Sequence, residues 1–248
     1  ISNLGACVEA VKGFVKADEL AEKKYETKDA LNALSGILNN TNYMASLLLQ
    51  RGDYENAYMA YDALIEGNDL LIEEGEDSVF ETNESYLEQI YWAALAAYSG
   101  GMLPEAEMLF NRLMDENYES PDIYSAMFDI KNKQGDESAA QEYLKEGISK
   151  YPDDKGLMFA EINYALAQGD LNALVDKLQA AMDAEPENIT IPTTLGNVYD
   201  QLYQKALEDG DQAKADEYYE NAKMYFAKAL SMDETYFDAV YMMGAVEY

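Results

Sequence analysis

Histidine is absent from this 248-residue chain, and cysteine occurs once, as Cys7. Without imidazole the usual zinc ligand sets and the nucleophile–base triads built on histidine cannot be assembled, and a lone cysteine excludes an intramolecular disulfide. Cys7 reads as a small buried thiol on an amphipathic helix. Arginine is confined to Arg51 and Arg112, which argues against phosphate clamps. No apolar run approaches the roughly 18 residues of a membrane span. Positive charge is scarce overall: 17 Lys and Arg stand against 48 Asp and Glu, a formal net charge of −31. Such a surface repels nucleic acid and anionic membranes, so a basic or neutral partner is expected rather than an acidic one.

What the chain does contain is a period. Gly101, Gly135 and Gly169 stand 34 residues apart, and their surroundings repeat at the same interval: Ala106 with Ala140, Phe110 with Leu144 and Leu178, Pro152 with Pro186. A fixed interval of this length means stacked supersecondary units. Each unit reads as two helical patterns joined by a Gly-Asp or Gly-Gly turn, at Gly52-Asp53, Gly100-Gly101, Gly135-Asp136, Gly169-Asp170 and Gly210-Asp211. Glycine permits the left-handed conformation that ends a helix, and aspartate caps the next. Five residues after each turn glycine comes a small residue, Ala57, Ala106 or Ala140, with Leu174 as the exception. Four further on comes a bulky one, Tyr61, Phe110, Leu144 or Leu178. Small beside bulky on one face suits close interhelical packing.

On these residues, together with Leu195-Gly196 and Tyr199, the chain resembles a tetratricopeptide repeat (TPR) protein of bacterial type over about Asn39 to Tyr248. Its departures are Leu174, Glu161 where an apolar residue is usual, and Pro192 where a bulky one packs. The resemblance implies an all-α, right-handed solenoid of antiparallel helix pairs. One helical-repeat domain over 1–248 is expected, with N-terminal helices in 1–38, about five units in 39–236 and the first helix of a further unit in 237–248.

Two spacings break the period and predict lengthened units. Gly169 to Gly210 spans 41 residues, and Ala215, Ala222 and Ala229 recur every seven, so both helices of that unit are expected to be longer by seven, about two turns. Gly52 to Gly101 spans 49, with Leu64 and Ile65 echoed by Leu71 and Ile72. There the second helix is expected to reach about Glu74, followed by a loop from Gly75 to Asn83. At the N-terminal end one helix is expected to run to about Lys24 with Leu20 on its apolar face, and another to start at Lys28 under a Thr27 cap. The helix-poor run Asn39 to Asn42 leaves its continuity open. Phe237 to Tyr248 is apolar on most sides, which predicts that the chain continues or that another molecule covers this helix, self-association included. The start at Ile1 rather than Met, with family habit, favours export to a bacterial periplasm; a cytoplasmic location stays open.

The resemblance also implies that an extended peptide lies on the surface lined by first helices. Counting back from the turn glycines places Asp129, Asn132, Asn163 and Asn197 there, the asparagines being able to pair with a peptide backbone without reading its sequence. The same counting places Tyr91, Trp92, Leu95 and Tyr98 on that surface, with Phe159 extending the aromatic group. Relatives that grip a terminal carboxylate do so with Lys or Arg; the corresponding positions here, such as Asn42, Ser125 and Thr193, carry no cation. No catalytic residue, cofactor or metal site is read: Asp209, Asp211 and Asp216 fail the calcium-loop spacing. The reading is therefore a non-enzymatic protein- or peptide-binding scaffold. Its alternative is a small-molecule or glycan-binding module built on the Tyr91, Trp92 and Tyr98 cluster.

Overall fold

A computed structural model describes residues 4–247 and contains, among them, twelve α-helices in sequence. These are α1 (Leu4–Glu19), α2 (Lys24–Gln50), α3 (Tyr54–Glu73), α4 (Asn83–Ser99), α5 (Leu103–Asp115), α6 (Pro121–Gln134), α7 (Glu137–Lys150), α8 (Lys155–Gln168), α9 (Leu171–Ala184), α10 (Thr190–Glu208), α11 (Gln212–Met232) and α12 (Phe237–Glu247). The chain divides at the turn between Gln134 and Gly135 into two compact units, 1–134 and 135–248.

The turn glycines behave as the spacing predicts. Gly52, Gly101, Gly135, Gly169 and Gly210 all have φ between 70° and 81°. Each reverses the chain at a helix end, and after Gly52, Gly101, Gly169 and Gly210 the following N–H reaches back to a carbonyl five residues earlier, as Met102 does to Ala97 (2.9 Å) and Asp211 to Ala206 (2.9 Å). The Asp136, Asp170 and Asp211 carboxylates then accept from the N–H of Ala139, Ala173 and Lys214 and cap the next helices. Asp53 does not cap α3: its carboxylate accepts the Asn56 side-chain amide instead, at 2.9 Å. The α5 terminus has no glycine; Asn117 takes the left-handed conformation (φ 56°), and the Tyr118 N–H closes onto Leu113.

In the first unit α2 packs with α3 and α4 with α5, and α1 lies against both α2 and α3. Gly67 sets how closely the first three helices meet, since a Cβ there would come 2.7 Å from a Leu38 methyl and 3.3 Å from Val11. In α4, Ala93, Ala94, Ala96 and Ala97 are all fully buried, so small side chains let its neighbours approach on more than one side. The expected small and bulky positions are core throughout: Ala57, Ala106, Ala140, Leu174, Tyr61, Phe110, Leu144 and Leu178 are buried.

In the second unit α8 packs with α9 and α10 with α11, and α12 closes onto α10 and α11. The core gathers Leu174, Leu178, Ile191, Leu195, Val198 and Phe226. Gly196 is buried against the face of Phe226, whose ring lies 2.5 Å from where a Cβ would stand. Pro192 is accommodated because it falls in the first turn of α10, where its missing N–H has no intrahelical partner to lose.

The lengthened units are present, with one correction. α3 has 20 residues and α11 has 21, against 14 in each of α6 to α9, but α10 has 19 and so gains five rather than seven. It begins four residues after Pro186 and stops two before Gly210, one position short at each end of the pattern set by α8. The expected loop after α3 is present but runs over 74–82, one residue earlier at each end than the spacing predicts.

The N-terminal expectations need more revision. α1 ends at Glu19 rather than near Lys24, leaving Leu20 68% exposed, and α2 begins at Lys24 rather than Lys28. The cause is Glu26, whose carboxylate accepts from the backbone N–H of both Glu22 and Lys23 and so caps α2 earlier than Thr27 would. α2 then runs unbroken through Asn39 to Asn42, where buried Thr41 bonds back to the Ile37 carbonyl at 3.1 Å. Cys7 is half-buried rather than buried.

Candidate functional site

In the first unit the candidate residues sit on α4 and α6. Tyr91 is 9% exposed; its ring meets the edge of Trp92 at 5.4 Å and tilts against Tyr118 at 5.6 Å. Its hydroxyl donates to Asp122 Oδ2 at 2.8 Å. About two helical turns further, the Tyr98 hydroxyl donates to Asp129 Oδ2 at 2.6 Å. The two bonds join α4 to α6 at the same sequence separation of 31. Asp129 also accepts Lys133 Nζ at 2.6 Å, and that ammonium stands 5.3 Å from the Tyr98 ring centre. Burial, and then the bond to a carboxylate, pushes both phenols up to about 12. Tyr91, Tyr98 and Asp129 are thereby committed to holding two first helices together, while Trp92, Leu95 and Asn132 remain half-buried at the surface.

The sequence reading did not foresee these Tyr–Asp bonds. A separation of 31 is the repeat less one helical turn, so a hydroxyl and a carboxylate at that offset on successive first helices was the available signal. A second polar group was also missed. Arg112 donates to both oxygens of Asp69 (2.8 and 2.9 Å), the Tyr86 hydroxyl donates to Asp69 at 2.6 Å, and Phe80 stacks on Tyr86 at 5.3 Å. Buried Asn68 beside it accepts from Ser78 Oγ (2.9 Å) and the Val79 N–H (3.0 Å), so the 74–82 loop is tied to α3 and α4.

In the second unit Phe159 is half-buried and packs onto the unit's apolar core. Asn163 on α8 is exposed, whereas Asn197 on α10 is half-buried and its Oδ1 lies out of solvent with no hydrogen-bond partner among the described residues. Asp211 is occupied by Lys214, whose ammonium is 3.3 Å away, and Asp216 accepts from Gln212. Among the described residues no group of three potential ligands is placed to hold a metal ion.

This unit also has a cleft of about 410 Å³ between α7, α8 and α9. Leu144, Ile148, Ala165 and Ala173 line it with aliphatic surface, and Lys145, Glu161, Tyr164 and Lys177 stand around it. Glu161 pairs with Lys177 at 2.6 Å, which explains how a carboxylate is tolerated at a position where the repeat usually has an apolar side chain.

No family model matches the sequence, and no curated protein matches it. Solved structures do. YrrB, a TPR protein described as having an unusual peptide-binding site, aligns over 93% of this chain and 97% of its own at 17% identity, with a TM-score of 0.52. A TPR repeats protein from Bacteroides fragilis aligns over 85% of this chain and 97% of its own at 16% identity (TM-score 0.46). A tetratricopeptide repeat protein from Parabacteroides merdae covers 96% of this chain and 84% of its own, also at 16% (TM-score 0.46). Consecutive helix pairs, left-handed turn glycines and the match to YrrB agree on one architecture: this chain has the all-α fold of a tetratricopeptide-repeat array.

Proposed function

We propose that this chain is a non-enzymatic scaffold whose first-helix surface binds an extended, basic or neutral segment of a partner protein. The observation that carries this reading is the joined surface of α4 and α6. Two Tyr–Asp bonds hold it rigid, it keeps Trp92 and Leu95 half-exposed as apolar anchors, and its Asp122 carboxylate adds negative charge. Rigid aromatic anchors bind with little loss of side-chain freedom. The peptide-binding site ascribed to YrrB, which shares the fold, supports the same use of the array.

Trp92 is the single tryptophan, so its emission reports this surface directly. Titration with a lysine-rich peptide carrying aliphatic residues is expected to shift that emission saturably, and a glutamate-rich peptide of the same length is expected not to. Equal response to both peptides would remove the electrostatic part of the proposal; response to neither, with emission unchanged, would remove the site.

A second contact surface is proposed on α12, where Phe237 is 74%, Val240 48% and Tyr241 64% exposed, with the Phe237 and Tyr241 rings stacked at 6.1 Å. Self-association through this face predicts a concentration-dependent mass in sedimentation equilibrium that Phe237→Glu abolishes.

A further inference from the structure

We propose that the cleft between α7, α8 and α9 binds a small amphipathic carboxylate, a molecule with an aliphatic body and one anionic group. This site is separate from the peptide surface and does not depend on it. Its volume, about 410 Å³, falls in the range of roughly 300–1,000 Å³ typical of small-molecule sites. Leu144 and Ala165 are buried at its base, only 4% and 6% exposed, and Ala173 opens it because no longer side chain projects from that first turn of α9. An aliphatic body suits this lining, which has one aromatic member, Tyr164.

The polar rim sets the charge. Two carboxylates and two ammoniums line the cleft, yet they are not equally available. Glu161 is held by Lys177 at 2.6 Å, and Asp170 is turned to the Ala173 N–H at 3.1 Å as the cap of α9. The Gln141 amide donates to the Tyr164 hydroxyl. Lys145 is exposed on α7 and makes no ion pair among the described residues. The cleft therefore holds one uncommitted cation in a chain whose net charge is −31. A single ammonium beside aliphatic surface matches one carboxylate; it lacks the arginine fork or multiple cations that a polyphosphate requires.

The test uses decanoate, decan-1-ol and decyltrimethylammonium, each below its micelle concentration, titrated into the protein in 0.15 M salt and followed by amide chemical shifts and calorimetry. Decanoate is expected to bind saturably at one site, shifting resonances of residues 141–148 and 161–177. Decyltrimethylammonium is expected to bind about tenfold more weakly, since it trades attraction to Lys145 for repulsion. Lys145→Gln is expected to weaken decanoate about fivefold and leave decanol unchanged. Ala173→Leu, which fills the cleft, is expected to abolish both, and Gln168→Trp, at the exposed rim, serves where Ala173→Leu lowers the unfolding temperature. The proposal is overturned by no saturable decanoate binding, by shifts confined to other residues, by blocking variants that bind like wild type, or by a Lys145→Gln affinity equal to wild type.

Discussion

Tyr98 and Tyr91 each join a first helix to its neighbour by donating to a carboxylate, and burial together with that bond holds their protons beyond the normal phenol range, up to about 12. In the unfolded chain the same groups titrate near 10. Between those values the native state keeps protons that the unfolded state has released, so stability falls as pH rises from about 10 through about 12, and the contribution is fully present below 10. The variant Tyr91→Phe/Tyr98→Phe is expected to lose roughly 0.5–1.5 kcal/mol per bond at pH 7 and to show a flatter decline across pH 10–12, both read from urea melts. Gly196 offers a steric counterpart: a Cβ would stand 2.5 Å from the Phe226 ring, and because that ring is fully buried and cannot swing away, Gly196→Ala is expected to cost about 1–3 kcal/mol. Gly196 was visible beforehand as part of a repeat signature, and Tyr91 and Tyr98 as aromatic rings on the first-helix surface. The tyrosine hydroxyls were not, because a side-chain bond between successive first helices falls at the repeat length less one turn, and counting by whole periods passes over it.

At the scale of elements, the positions that punctuate helices were readable because each depends on one residue's backbone freedom: five turn glycines with left-handed φ, three capping aspartates and prolines just beyond α7 and α9. The boundary between α1 and α2 was not, since it rests on competition between two caps, and the Glu26 carboxylate satisfies two N–H groups where Thr27 would satisfy one. The 74–82 loop was expected as a loop but not as a tethered one. Asn68 is fully buried and its carbonyl oxygen accepts two loop hydrogen bonds, so Asn68→Ala leaves two donors unmet and is expected to destabilise by about 1–3 kcal/mol. Limited proteolysis checks the location: cleavage within 75–82 is expected to accelerate in Asn68→Ala. The Arg112–Asp69 pair is more than a third exposed, so Arg112→Ala is expected to have a smaller effect, below about 1 kcal/mol.

For the whole molecule the dominant fact is charge. A net −31 on 248 residues opposes compaction by self-repulsion, and the repulsion is screened by salt. Raising NaCl from 10 mM to 300 mM is expected to raise the unfolding midpoint, by roughly 2–4 °C for each kcal/mol of repulsion removed. The architecture was legible from the 34-residue period and its two exceptions, because stacked units transmit their contacts to neighbours at fixed intervals. The cleft on the second unit was not, since it is made by what Ala173 and Ala165 leave unfilled, and Glu161 as an out-of-place carboxylate was its one trace in the sequence. Scaffold binding through Trp92 and Leu95 is the central claim, and selection from a random peptide library tests it most directly. Wild type is expected to enrich extended sequences rich in Lys or uncharged apolar residues, with binding that quenches or shifts Trp92 emission and weakens at high salt. The Trp92→Ala/Leu95→Ala variant, folded to the same helical content, is expected to enrich none of them; the same peptides enriched by both proteins would contradict the account.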